Sequence, residues 1–278
     1  MSTKLHDILQ FPVGKKITTL TELLTQGDCS TEIAEAAAKV LMSGEGTSEL
    51  RSALGLALGN FGDPRLLLPT DSSYWARIDL QGYSLDVGKN LVTTAEWRAF
   101  VNGSRYEEKE LWDADGLAWK NKERPSWQML AESPDGIKFA VDNQPVVGVS
   151  WYEAKAYALA HGGRLLEFDE RIQVVRGSAK RHYPWGSPFG QGNANTVEES
   201  LGRPCAVGLF LSDKTPEGVC DLAGNVAEWT GDYDGKRRII HPGSWRESAM
   251  ASWPKASRWI SAAARLDSLG FRIVRDVD

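Results

Sequence analysis

The segment Asp221-Leu-Ala-Gly-Asn-Val-Ala-Glu-Trp-Thr230 combines carboxylates, an amide and a glycine with small apolar residues. A helix interior disfavours Gly224 and Asn225, and a plain strand disfavours Asp221 and Glu228. The composition therefore indicates an irregular, buried backbone whose carbonyls and carboxylates need partners. A hard cation such as calcium would be one partner, because it binds about six to eight oxygens. The alternative is a tight turn in which the polar side chains cap the backbone.

Thiol and imidazole side chains are sparse in this chain. The three cysteines are irregularly spaced and do not form a disulfide framework. Such a set fits a reducing compartment, although a bridge between Cys205 and Cys220 stays an open alternative. The sequence has neither a nucleophile-elbow motif nor a glycine-rich phosphate loop. The residues concerned are Cys29, Cys205, Cys220, His6, His161, His182 and His241.

Composition and charge narrow the classes of partner. The 278 residues carry a formal net charge of −5 and include 11 tryptophans. Nucleic-acid-binding proteins are usually basic, so we expect no nucleic-acid partner. The absence of a stretch of about 18 apolar residues predicts no membrane span, and the N-terminus lacks an apolar signal region. These features predict a cytoplasmic protein that does not bind a membrane.

The first part of the chain has the pattern of a helical segment. Apolar residues, many of them Ala and Leu, recur there at helical spacing. Thr19 and Glu22 match a capping box. We expect these helices to pack on the rest of the chain, with an independent binding scaffold as the alternative, because a self-standing solenoid usually needs about three or more repeats. The predicted helices cover residues 17–26, 30–43 and 47–60, with caps at Gly27, Gly44 and Gly62.

A series of motifs follows in a fixed order along the rest of the chain. They are YSLDVGKNLVTTAEWRAFV at 83–101, QPVVGVSWYEA at 144–154, GRLLEFDERIQVVRG at 163–177, YPWG at 183–186, NANT at 193–196, GNVAEW at 224–229, GSW at 243–245 and LGFR at 269–272. This order resembles the formylglycine-generating enzyme family, also called the sulfatase-modifying factor domain, whose signature reads GNVWEW. The resemblance covers about residues 72–275.

The resemblance implies an α+β fold, the family's variant of the C-type lectin fold. Gly and Pro are spread through residues 177–243, which predicts short strands and long ordered loops there. It also implies a HEAT-like helical prefix at residues 1–68 and a lectin-fold domain at 72–278. The run Leu66-Leu-Leu-Pro-Thr-Asp-Ser-Ser73 is then a docked linker between the two.

The resemblance further implies a calcium site at the signature segment. A second site of the family needs a downstream Asp-Gly-Phe, where this chain has Glu198-Glu-Ser-Leu-Gly202, so the second site is incomplete. The implied ligands are the side chains of Asp221 and Glu228, the main-chain carbonyls of Gly224 and Val226, and, in the second site, Asn195 and Thr196.

The residues that carry the family's redox chemistry are missing. The enzymes hold copper on two cysteines after the GGS element, but no cysteine follows Cys220 in this chain. Soft thiolates are the ligands that Cu(I) needs. The related sulfoxide synthases bind iron through histidines of a separate helical domain, and the prefix here carries only His6. We therefore predict no copper, no iron and no catalytic residue.

The segment between the GSW and LGFR elements is the predicted binding face. Variable proteins of diversity-generating retroelements expose this segment in the same fold, and this chain resembles them in lacking the catalytic cysteines. Trp and Arg dominate binding hot spots, and small residues between them leave the aromatic rings accessible. Trp245 lies within a motif, so we expect it in the core, and a structural role is the alternative for Arg258. The predicted ligand-binding residues are Arg246, Glu247, Trp253, Arg258, Trp259 and Arg265.

The sequence thus predicts a non-enzymatic binding protein of bacterial type that recognises a macromolecule through this face. A retroelement-diversified variable protein is one form that such a protein takes. The alternatives are a divergent enzyme of the same superfamily, acting on an unrecognised substrate, and a structural subunit of a bacterial assembly.

Overall fold

The computed structural model describes residues 2–26, 29–122, 136–235 and 237–277. These residues have an α+β arrangement, in which a run of helices comes first and short strands mixed with further helices follow. The α-helices are α1 (Ser2–Leu9), α2 (Val13–Thr25), α3 (Thr31–Ser43), α4 (Ser48–Phe61), α5 (Thr94–Val101), α6 (Ala114–Lys120), α7 (Trp151–Ala160) and α8 (Phe168–Arg176). The strands are β1 (Trp75–Asp79), β2 (Ser84–Gly88), β3 (Arg164–Leu165), β4 (Ala227–Asp234), β5 (Arg237–His241), β6 (Arg258–Ser261), β7 (Leu269–Gly270) and β8 (Ile273–Val277).

The predicted helices of the first part are present as α2, α3 and α4, and α1 precedes them unpredicted. The capping box at Thr19 is wrong, because α2 begins at Val13 after Pro12 and Thr19 lies inside the helix. Proline suits a helix start because its ring fixes φ and its missing N–H is not needed there. Gly44 ends α3 with φ +75°, and Gly62 follows the last residue of α4, as predicted. Gly27 lies outside the described residues.

The helical part packs directly against the rest of the chain. Leu41 and Leu58 share one buried cluster with Cys205 and Phe210. The approach is close at Gly55, where an added Cβ would lie 3.1 Å from the Cβ of Ala206. The interface also has polar contacts. Asn143 Nδ2 donates to the Gly55 carbonyl at 2.8 Å and to Asp63 Oδ2 at 2.7 Å, and Arg51 donates to the Leu209 carbonyl.

Two small sheets form the framework of the remaining chain. One has the strand order β1-β2-β8-β3 with antiparallel pairs, and the other has the order β6-β5-β4-β7, in which only the β4–β7 pair is parallel. No α-helix or named strand lies within residues 177–226, all of which the structure describes. The prediction of short strands and long ordered loops is therefore confirmed.

An aromatic core lies between α5, α7 and the strand ends. Trp97 is fully buried, and its ring centroid lies 6.1 Å from those of Tyr157 and Phe271. Capping boxes at Thr93 and Ser150 start the two helices that supply this core. The helices that the structure describes are too short or too polar to cross a membrane.

Candidate functional site

Glu228, on β4, lies in a buried polar cluster with two arginines. Its Oε1 accepts hydrogen bonds from Arg171 Nε at 3.0 Å and Nη2 at 2.7 Å, and its Oε2 accepts one from Arg272 Nε at 2.9 Å. Burial raises the pKa of the Glu228 carboxyl, but the two guanidinium groups outweigh burial and bring the pKa to about 2. The carboxylate is therefore charged at neutral pH and pairs with two cations. We call Arg171, Glu228 and Arg272 the Glu228 cluster.

The Glu228 cluster also ties the signature segment to the first sheet. Arg272 donates from Nη1 to the Gly88 carbonyl at 2.9 Å and from Nη2 to the Cys220 carbonyl at 2.7 Å. Gly88 is the last residue of β2, and Cys220 immediately precedes the signature segment. One buried arginine thus satisfies carbonyls from separate parts of the fold, as buried backbone groups require.

This arrangement does not fit a calcium ligand at Glu228, because both carboxylate oxygens already accept from cations. A divalent ion placed beside two guanidinium groups would be repelled by them. Within residues 2–26, 29–122, 136–235 and 237–277, no group of three or more His, Cys, Asp or Glu side chains could hold a metal ion. The role of Glu228 is thus different from the one that the sequence predicted. A site made by the carbonyls of Gly224 and Val226 stays a prediction.

Asp221 is held in another way. Its backbone adopts φ +56°, and its Oδ2 accepts from the Gly208 N–H at 2.8 Å. Nearby, the Asp213 carboxylate accepts from the N–H groups of Leu222 and Ala223 at 3.0–3.1 Å. Burial raises the pKa of Asp213 to about 7, with the charge of Asp221 adding to the rise, and burial raises the pKa of Asp221 to about 6. These carboxyls therefore act as backbone caps in the turn that opens the signature.

The two predicted metal segments meet at Asn195 and Asn225. The Asn225 N–H donates to the Asn195 carbonyl at 2.8 Å, and Asn195 Nδ2 donates to Asn225 Oδ1 at 3.3 Å. A Cβ on Gly224 would lie 2.6 Å from the same Asn195 carbonyl, so this position has no room for a side chain. Thr196 follows as a buried residue whose carbonyl accepts from the Glu199 N–H at 3.0 Å. These contacts match the alternative prediction for the signature segment, in which polar side chains cap a tight turn.

The predicted binding face is a loop and an edge strand that the core holds in place. Residues 242–257 connect β5 to β6, and β6 is the outer strand of its sheet. The Trp245 N–H donates to the Asn225 carbonyl at 3.0 Å, and the Val197 N–H donates to the Glu247 carbonyl at 3.0 Å. These bonds attach the loop to the signature and NANT segments. The face is therefore ordered by backbone contacts.

Trp253 and Trp259 are both partly exposed, at 41% of their full surface. The Trp253 ring leans on His182, with centroids 4.8 Å apart, and meets Tyr183 edge-on at 6.1 Å. The Trp259 side chain is on β6 opposite Ile239, and the Arg237 guanidinium lies 5.6 Å from its ring centroid. Each ring thus has one face supported by the protein and a large area open to solvent.

Two of the predicted charged residues of the face pair with each other. Arg258 Nη1 donates to Glu247 Oε1 at 3.1 Å, so these two predicted residues come together. We call Trp253, Trp259, Glu247 and Arg258 the tryptophan surface. The two remaining arginines point elsewhere: Arg246 pairs with Asp267 at 2.5 Å, and the Arg265 guanidinium lies 5.2 Å from the ring centroid of Trp119.

Trp245, which its motif predicted in the core, packs against a buried cluster that includes Phe139. It is half-buried, its ring centroid lies 6.2 Å from that of Phe139, and its Nε1 donates to the Asp267 carbonyl at 3.3 Å. The Arg246 guanidinium covers it, 4.6 Å from the ring centroid. Trp245 thus lies at the border between the core and the binding face. The side of its ring that faces away from the core is covered by Arg246 and not by apolar side chains.

Sequence reasoning missed several residues of this region. Arg171 and Arg272 both lie within motifs quoted for the family, but no role was assigned to either. A buried-face position in α8 occupied by arginine is the signal that could have identified Arg171. Asp213 carries no comparable signal, because it caps backbone N–H groups that are 9 and 10 positions away.

A family profile described as the sulfatase-modifying factor enzyme 1-like domain matches residues 39–277. The chain belongs to this family. The match begins inside α3, so it includes the end of the helical part as well as both sheets.

Two curated relatives illustrate the range of the sulfatase-modifying factor family. Hercynine oxygenase from Mycolicibacterium thermoresistibile is 26% identical over 227 residues, which are 69% of this chain and 51% of the relative. The inactive C-alpha-formylglycine-generating enzyme 2 from Bos taurus is 31% identical over 176 residues, 56% of this chain and 58% of the relative. The chain spans about half the length of the curated relatives it matches.

Solved structures show the same fold. PvdO from Pseudomonas aeruginosa superposes with a TM-score of 0.53 and 21% identity, covering 70% of this chain and 81% of its own. Treponema denticola variable protein 1 gives a TM-score of 0.50 and 18% identity, covering 73% and 92%. At these identities the likeness concerns the fold, and it confirms the predicted C-type lectin type.

Proposed function

We propose that this protein is a non-enzymatic binding protein whose tryptophan surface recognises a macromolecular ligand. The observation that carries the proposal is the partial exposure of Trp253 and Trp259 on a segment that the core holds in place. Large aromatic side chains bury much area on binding and lose little conformational entropy, which is why they dominate hot spots.

The contacts within the face support recognition by a preformed surface. Trp253 rests on His182, and Trp259 lies beneath Arg237, so neither ring is free to turn in every direction. The Glu247–Arg258 pair is exposed and would lie beside a bound ligand. Ordering such groups before binding lowers the entropy lost on association. The shared fold of the Treponema denticola variable protein and the relative whose name includes "inactive" favour a binding role over catalysis.

The test compares baits that differ in exposed aromatic residues. The full chain and a Trp253→Ala/Trp259→Ala double variant are immobilised and exposed to an extract of the native host, and retained proteins are quantified by mass spectrometry. The control is Phe61→Ala, which removes an aromatic residue of similar exposure, 38%, at the end of α4. We expect a macromolecule that the parent and the control retain and the double variant loses.

The affinity of that macromolecule for each single variant, Trp253→Ala and Trp259→Ala, then measures how much each ring contributes to binding. Each single Trp→Ala change should weaken binding by about 2 kcal/mol or more, as hot-spot aromatic residues do. Retention of the same molecules by all three baits, with normal melting curves, would show that the face is not the recognition surface.

A second candidate function is an enzyme, which the identity to hercynine oxygenases favours. Against a copper enzyme, no cysteine follows Cys220, and against an iron enzyme, the helical part of this sequence carries only His6. Oxygen consumption with hercynine and Fe(II), and with a cysteine-containing peptide and copper, tests this candidate. Turnover with either substrate would replace the binding proposal.

A further inference from the structure

A half-open cavity lies where the segment that connects α4 to β1 meets α5 and α7. Its volume is about 250 Å³. Three rings form part of its wall, namely Phe100 of α5, Tyr157 of α7 and His161, the residue that follows α7. Leu68 and Pro69 of the connecting segment line it as well. The cavity is therefore bounded mostly by aromatic and apolar side chains, which is typical of sites for small molecules.

Hydrogen bonds hold the connecting segment at the cavity wall. The Pro69 carbonyl accepts from Trp75 Nε1 at 3.0 Å and from Arg275 Nη2 at 3.2 Å. Arg275 Nη2 also donates to the His161 carbonyl at 2.8 Å, so one guanidinium ties the segment to the end of α7. Leu68 is nevertheless 55% exposed. The wall is thus formed before binding, and a ligand in the cavity would cover apolar surface that water now contacts.

His161 offers an unused hydrogen-bond acceptor at this wall. Its Nδ1 lies 2.9 Å from the Tyr157 carbonyl, and because a carbonyl only accepts, Nδ1 carries the hydrogen. Burial lowers the pKa of His161, so the ring is neutral at pH 7. In this tautomer Nε2 is an acceptor. Within the part of the chain that the structure describes, Nε2 has no hydrogen-bond partner, and it is not among the atoms that are closed off from solvent.

The other ionisable residues that line the cavity are already engaged. Glu96 Oε1 accepts from the Tyr157 hydroxyl at 3.1 Å, and its Oε2 belongs to the capping box of α5. Arg105 donates to the last carbonyl of α7, and its Nε lies 3.6 Å from Glu108 Oε2. The lining thus has one acidic group, one basic group and a neutral imidazole. A charged ligand would find no unpaired opposite charge there, and burying a charge without a partner is costly.

We infer that this cavity binds a small, neutral aromatic molecule with one hydroxyl or N–H donor, of the phenol or indole class. The ring of the molecule packs among Phe100, Tyr157 and Leu68, and its donor bonds to Nε2 of His161. An apolar cavity of about 150 Å³ accommodates benzene, so about 250 Å³ has room for one substituted ring or two fused rings. This site shares no residue with the tryptophan surface and does not depend on the binding function proposed for it.

The test uses four single-ring compounds of similar size on the full chain, namely phenol, toluene, benzoate and benzylamine. Titration calorimetry measures each affinity. Phenol should bind saturably with a Kd of about 1 mM or below, as suits a ligand of so few atoms. Benzoate and benzylamine should bind about tenfold more weakly or worse, because each would bury a charge without a partner. In a nitrogen-15 NMR spectrum of the unsubstituted protein, phenol but not toluene should shift the Nε2 signal of His161.

Matched variants separate the acceptor from the space around it. His161→Phe keeps a ring beside Tyr157 but removes the acceptor. It should weaken phenol binding about tenfold, since the hydroxyl then lacks a partner, and should change toluene binding less than about twofold. His6→Phe makes the same substitution at an exposed position of α1 and should leave both affinities unchanged. Ala99→Phe adds a ring at an exposed lining position of α5 and should abolish binding of both compounds.

Three calorimetric results would overturn the inference. They are no saturable binding of phenol, binding of benzoate or benzylamine that equals that of phenol, or a phenol affinity that His161→Phe leaves unchanged. The NMR measurement uses the unsubstituted protein, so it decides the question even if His161→Phe does not fold. An Nε2 signal that stays in place at saturating phenol would put the ligand elsewhere, and full phenol affinity in Ala99→Phe would equally contradict the inference.

Discussion

The Glu228 cluster and the tryptophan surface both contain an arginine–glutamate ion pair, which is buried in the cluster and exposed on the surface. Each pairs arginine with glutamate close to tryptophan, as Glu228 does beside Trp229 and Glu247 does near Trp245. In the cluster the carboxylate is enclosed and accepts three hydrogen bonds from two guanidinium groups. On the surface one exposed hydrogen bond links Glu247 to Arg258.

This difference in burial explains which of the two regions tolerates substitution. A buried ion pair cannot lose one partner without leaving an unpaired charge in a medium that solvates it poorly. An exposed pair exchanges its partner for water at little cost. The signature segment is therefore fixed by electrostatics, whereas the face can accept many side chains on the same backbone.

The largest expected effect concerns the carboxylates themselves. Glu228→Ala leaves Arg171 and Arg272 buried without their anion and should reduce the free energy of unfolding by about 3–5 kcal/mol. The matched change on the surface, Glu247→Ala, should reduce it by about 0–1 kcal/mol. Urea unfolding of both variants measures the contrast, and equal losses would refute the distinction between the two regions.

The pH dependence of stability tests the buried carboxyls of the signature. Because the folded-state pKa of Asp213 is raised to about 7, its contribution is present below the unfolded pKa of about 3.9 and is lost as pH rises through 7. One proton corresponds to about 1.4 kcal/mol per pH unit, so stability should fall by about 2–3 kcal/mol between pH 5 and 7 from this group.

The variant Asp213→Asn isolates that contribution, because it keeps an oxygen for the N–H groups and does not titrate. The difference in unfolding free energy between parent and variant should shrink or reverse toward high pH. Glu228 has the opposite sign: with a pKa of about 2 it stabilises above its unfolded value and loses that effect as pH falls toward 2. A parent–variant difference that stays constant from pH 5 to 8 would be inconsistent with a buried, raised Asp213.

A smaller effect is expected from glycine substitutions. Gly224→Ala places a Cβ 2.6 Å from the Asn195 carbonyl and should destabilise the protein by about 1–3 kcal/mol through forced backbone movement. Gly14→Ala, inside α2, meets nothing closer than 3.9 Å and should stabilise by about 0.5–1 kcal/mol. Thermal melting should therefore move in opposite directions for the two variants.

The smallest stability effects belong to the tryptophan surface. Trp253→Ala and Trp259→Ala should each lower the unfolding free energy by less than about 1 kcal/mol, because partly exposed rings leave no closed cavity. Trp245→Ala should cost more, about 2 kcal/mol, since it also loses Phe139 and its hydrogen bond to Asp267. If the order in the melting curves is reversed, Trp253 and Trp259 are structural.

The sequence allowed the fold to be predicted because motif order is a property of the whole chain. It also placed α3 and α4 to within one residue, since their apolar spacing and terminal glycines agree. It could not reveal that Arg171 reaches a carboxylate 57 positions away, or that Asp213 caps residues 222 and 223. Those contacts are made by tertiary packing, which local patterns do not encode.

The close packing of α4 against residues 143 and 206 has a consequence for how the molecule unfolds. Asn143 is bonded to both Gly55 and Asp63, and Cys205 and Phe210 belong to the interior that the helices complete. The buried cluster of the helices is completed by residues of the following part, so heat should melt the two in one cooperative transition. A spectroscopic probe on α4 would then report the loss of the distant strands, and a ligand bound at the tryptophan surface would raise the temperature at which the N-terminal helices melt.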